Sequence, residues 1–96
     1  MISREDFLFT IGYDGDTAIV DARAKAQYGK MSTAQLIEHS LFRAAFASAL
    51  YSGDPEDFRV FSEAFNAKAG TSYNDPDSFK RLFGIKIEEV RRVLAL

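Results

Sequence analysis

Short clusters of glycine, proline and capping residues divide this chain more firmly than any hydrophobic pattern in it. They are Gly29 with Ser32, Gly53-Asp54-Pro55, Gly70 with Asp75-Pro76, and Gly84. Glycine closes a helix because it tolerates the left-handed conformation there. Asp or Ser accepts the free N–H groups of the next helix, and proline suits its first position. The spacing predicts helices of about 10 to 20 residues across the last two thirds of the chain.

Ser32 and Gln35 form an S-x-x-Q capping box ahead of Leu36, Ile37, Leu41, Ala44, Ala45 and Ala49, which keep helical spacing. Residues 41–51 carry one charge, Arg43, and are apolar nearly all round, as in a central buried helix. Ser32 to Tyr51 is therefore expected to be one helical spine. Asp54 then caps a helix with Glu56 and Asp57 in its first turn, where acids suit the helix dipole. Its stripe is Phe58, Phe61 and Phe65, and Gly70 ends it. Asp75-Pro76 opens a helix stopped by Gly84, and Ile87, Val90, Val93 and Leu94 predict a last helix over 86–94.

The first thirty residues support two readings. As helices, Ser3 caps Arg4 to Ile11, and Asp16 caps Thr17 to Tyr28. As strands, the apolar runs at 7–11 and 17–20 flank Asp14-Gly15, a type I′ hairpin signal. An isolated hairpin is marginal, and no third strand is evident downstream. The expected fold is accordingly all-α, a bundle of four to five short helices around 32–51 in a single domain spanning 1–96. The alternative is α+β, with an N-terminal hairpin over 7–20 laid on a helical cluster.

Composition limits function more than it assigns one. Hydrophobic content of 47% excludes the disorder signature, and the 14% aromatic content is phenylalanine-dominated. A net charge of −2 gives no global field for nucleic acid or anionic lipid. With no cysteine, disulfides and thiolate metal sites are excluded. Acids at Glu5 and Asp6 stand where a signal peptide needs basic residues. No apolar run approaches the roughly 20 residues of a membrane span. A cytoplasmic protein of bacterial type is expected.

No chemical motif stands out. His39 is the only histidine, and adjacent Ser40 would turn about 100° away from it on a helix. A calcium loop starting at Asp14 would need glutamate at its twelfth position, which is Lys25. No enzyme activity, cofactor or metal is expected. The Phe58, Phe61 and Phe65 stripe reads first as core and otherwise as a groove for a protein partner or a second copy. The leading expectation is thus a non-enzymatic protein-interaction module.

One segment resembles a known family. Phe79-x-x-x-Phe83-Gly84-Ile85, followed by Val90, Val93 and Leu94, is similar to the helix-turn-helix of bacterial DNA-binding proteins. That resemblance implies a DNA-binding module over 76–94, with Lys86, Arg91 and Arg92 at the phosphate backbone. Lys80 stands where the family has a small residue, and Glu88-Glu89 would face phosphate.

Overall fold

In the computed structural model, which describes residues 2–85 and 90–96, the N-terminal third combines both readings of its sequence. Ser3 caps α1 (Arg4–Leu8), its hydroxyl accepting from the Asp6 N–H, so the predicted cap is right. The helix ends at Phe9 rather than Ile11, and the chain then enters β1 (Thr10–Asp14) and β2 (Thr17–Val20). These pair antiparallel around Gly15-Asp16, with an irregularity between Thr10 and Gly12. Gly15 has φ of 60° and Asp16 does not share that region. That is the pattern of a type II′ turn rather than the expected I′.

Asp21, not Asp16, caps α2 (Ala22–Tyr28), its carboxylate accepting from Ala24 N–H at 3.1 Å. A third strand, β3 (Arg92–Ala95), lies parallel to β2 and sets Thr17 beside Arg92 and Val20 beside Ala95. The sheet order is β1-β2-β3. The all-α helical bundle is therefore overturned. The fold is α+β, with six helices and three strands among the described residues, as in the hairpin alternative. The helix expected over 86–94 is also corrected. Residues 86–89 lie outside the described residues, and 92–95 form a strand. Val90, Val93 and Leu94 fit helical spacing, but β2 offers a row of backbone groups that only another strand can pair.

The spine breaks in two, α3 (Thr33–Glu38) and α4 (Phe42–Ser52). The capping box forms as expected. At the break, Ser40 takes φ of 58°. Ser40 N–H donates to Ile37 C=O, and Leu41 N–H donates to Leu36 C=O, both at 2.9 Å. This is a Schellman closure, with serine in the seat glycine normally occupies. The break lets Leu36 and the run Ala44 to Ala49 both be buried. The remaining helices, α5 (Pro55–Ala69) and α6 (Pro76–Phe83), begin and end at the predicted caps.

Helix α4 packs against α1, α3, α5 and α6. Phe46 is fully buried at the centre of a ring cluster, 5.4 Å from both Phe61 and Phe79 and 5.8 Å from Phe83. Arg4 ties α1 to this helix through Ser48 Oγ at 2.9 Å, and to the Gly29 and Met31 carbonyls at 3.0 and 2.6 Å.

Two outcomes follow. Phe61→Ala, which empties a site with no exposure, should lower unfolding stability by about 3–5 kcal/mol in urea titrations. Asp75 is held below its ordinary carboxylate pKa by the backbone N–H and hydroxyl of Ser78. A depressed folded-state pKa stabilises above the unfolded value and is lost as pH falls through the folded one. Urea midpoints should therefore drop below about pH 4, and Asp75→Asn, which keeps the acceptor oxygen, should remove that share of the drop.

Candidate functional site

The phenylalanine stripe, read first as core and otherwise as a partner groove, lies largely against the core. Phe61 is fully buried, and Phe58 and Phe65 are half-buried against the same cluster. Phe58 lies 5.8 Å from Phe79 edge-on, and Phe65 lies 5.4 Å from it at 90°. These rings satisfy one another, and none of the three stands clear of the fold.

The basic residues of the helix-turn-helix resemblance are dispersed by the sheet. Lys86 is outside the described residues. Arg91 is exposed in the approach to β3, and Arg92 is the first residue of that strand, also exposed. Both donate their backbone N–H to Asp16 C=O, at 2.7 and 3.2 Å. Among the described residues the pattern thus has its first helix, α6, and a strand where the second would run.

His39 closes α3, exposed, with its ring 6.0 Å from Tyr28. No group of three or more metal-ligating side chains exists among the described residues. Glu56 is occupied by Arg59, whose Nε donates to it at 2.9 Å and holds its pKa below the usual range.

Two features that sequence reasoning passed over are better defined. The first is the outer edge of β3, which no other strand covers among the described residues. All four of its residues are exposed, with Val93 at 42% and Leu94 at 51%. The second is a groove of about 510 Å3 between the start of β1, helix α2 and the α3–α4 corner. Its walls include Phe9, Leu41, Phe42, Phe65 and Phe83, and the one cation among its lining residues is Arg43.

Arg43 is half-buried. Its Nη1 donates to Thr10 C=O, its Nε donates to Phe83 C=O at 3.3 Å, and the Tyr13 hydroxyl also hydrogen-bonds it. Burial lowers its pKa, with Tyr13 pulling the other way. No ion pair to Arg43 exists among the described residues. The sequence did carry a signal, since Arg43 is the single charge in an otherwise apolar helix.

No helix among the described residues is long and apolar enough to cross a membrane. No protein-family model, curated protein or solved structure matches this chain.

Arg43 bridges β1 and the end of α6, so Arg43→Met should orphan the Thr10 and Phe83 carbonyls and lower stability by about 1–3 kcal/mol. Hydrogen exchange should report it as faster opening at Gly84 and Ile85 than at Leu36.

Proposed function

We propose that the protein is a non-enzymatic interaction module that assembles through the open edge of β3, pairing there with β3 of a second copy. One observation carries this reading. Leu96 N–H donates to Val20 C=O and Arg92 N–H to Asp16 C=O, so Arg92, Leu94 and Leu96 turn their backbone groups toward β2. Alternation then directs the N–H and C=O of Val93 and Ala95 away from β2. Neither residue has a further backbone partner among the described residues. An exposed, apolar edge of this kind is a template for strand addition.

A second copy suits the edge. In an antiparallel pair centred on Leu94, Val93 meets Ala95 of the other copy as a hydrogen-bonded pair. Leu94 then meets its own counterpart at the close, non-hydrogen-bonded position. Ile19 lies beside Leu94 in the register, so the joined sheets would carry one apolar strip across the four central strands. The two Arg92 side chains would sit about 14 Å apart, four residues along the strand and beyond the screening length at physiological salt. A cytoplasmic setting belongs to this reading and accords with a chain free of cysteine.

Proline substitution tests it, because proline removes one backbone donor. Val93→Pro should abolish self-association in sedimentation equilibrium over micromolar to millimolar concentrations, with little change in the unfolding midpoint. Leu94→Pro should instead weaken the fold itself, since that N–H faces β2. A wild-type chain that is monomeric throughout, or a Val93→Pro variant as dimeric as wild type, overturns the proposal.

A further inference from the structure

The groove beside Arg43 lies at the β1 end of the molecule, on the side of the sheet away from β3, and is independent of the edge just described. Three properties define what could occupy it. Its volume, about 510 Å3, is in the range of small-molecule sites. Its walls are chiefly aliphatic and aromatic, from Phe9, Leu41, Phe42 and Phe83 among others. Its single cation, Arg43, is bound only by neutral groups among the described residues, the Thr10 and Phe83 carbonyls and the Tyr13 hydroxyl.

Neutral acceptors orient a guanidinium but leave its charge uncompensated. Of its five N–H donors, two have described carbonyl acceptors. The groove's one acid, Asp21, is engaged as the cap of α2, accepting from Ala24 N–H. It does not figure among the groups acting on Arg43. A partly desolvated guanidinium at the wall of an apolar groove favours a carboxylate, which it can meet with two parallel hydrogen bonds. The apolar walls then favour a hydrocarbon or aromatic body behind that head group.

We propose that the groove bounded by β1, α2 and the α3–α4 corner binds a small amphipathic carboxylate, its head on Arg43 and its apolar body against Phe9, Leu41, Phe42 and Phe83. A neutral molecule of the same shape would keep the apolar contacts and lose the charged one. A cationic one would add repulsion.

The test compares octanoate, 1-octanol and octylammonium, titrated into the isotopically labelled protein at about 0.1 M salt and followed by amide chemical shifts. Octanoate is expected to saturate with shifts centred on Phe9, Ala24 and residues 40–44. It should bind at least about tenfold tighter than 1-octanol, the factor one charge-assisted hydrogen bond supplies. Octylammonium should bind weakest. In Arg43→Met the octanoate preference should vanish while 1-octanol binding remains. Because Arg43 also clamps β1 and α6, the ligand series on the unmodified protein decides the matter even where that variant fails to fold. Equal affinities for octanoate and 1-octanol overturn the proposal, as do shifts confined to β3 or no saturable binding at millimolar ligand. Loss of self-association in Val93→Pro has no bearing on these shifts, so the two readings fail separately.

Discussion

Helix α4 has no polar face to give to water, and the rest of the structure follows from covering it. Ala44 through Ala49 are all buried, with Phe46 the one large side chain among them. Small residues let α1, α3, α5 and α6 approach closely from several sides, and Phe46 fills the centre they leave. Chains with one amphipathic sheet or a single helix pair cannot enclose a helix that is apolar all round. The phenylalanines of α5 and α6 are therefore drawn inward. That geometry, rather than aromatic content, buries Phe61 fully and leaves Phe58 and Phe65 half-buried against the same rings.

Two arginines fasten this assembly, with different consequences. Arg4 reaches the Gly29 and Met31 carbonyls and Ser48, which is itself 2.8 Å from Thr33. It joins α1, the α2–α3 loop and α4 through a chain of polar groups at the edge of the core. Arg43 joins β1 to the end of α6 in the same manner, through carbonyls. Arg4 is wrapped by its own chain, whereas Arg43 borders an open groove. A guanidinium retains its charge at any working pH. The same residue is thus a structural clamp and, on the proposed reading, the electrostatic feature of the groove.

The legible parts of the fold were those set by local backbone chemistry. Ser3, Ser32, Asp54 and Asp75 cap helices as expected, and Gly53, Gly70 and Gly84 close them in the left-handed region. Each such device satisfies orphaned N–H or C=O groups within a few residues, so it can be read from a few residues. Ser40 could not be read this way, because the closure it makes is usually glycine's. The left-handed strain is tolerated here where a straight continuation would have separated Leu36 from the core that α4 builds. β3 was hidden for the opposite reason. Its spacing of Val90, Val93 and Leu94 satisfies a helix locally, and only the open side of β2, some seventy residues earlier in the chain, selects the strand. The Arg43 groove shares that origin, since its walls come from five separated stretches of sequence.

The two edges of the sheet are not equivalent, and the difference bears on which could take a partner strand. β1 begins with an irregularity at Thr10–Gly12, where Ile11 is 60% exposed, and Arg43 occupies the carbonyl of Thr10. A bulge bends and twists an edge, and a side chain on its carbonyl removes an acceptor, both of which discourage strand addition. β3 has a continuous four-residue register with β2, and no described backbone group is hydrogen-bonded to its outer side. It also lacks the inward-pointing charges or prolines that commonly blunt an edge. Arg91, just before β3, and Arg92, its first residue, precede the apolar stretch of the strand rather than interrupting it. One edge is thus blunted by the same arginine that lines the groove, and the other, among the described residues, keeps outward backbone groups. On the proposed reading, one blunted and one bare edge would limit assembly to pairs, because strand addition at β3 would leave no second site from which to propagate.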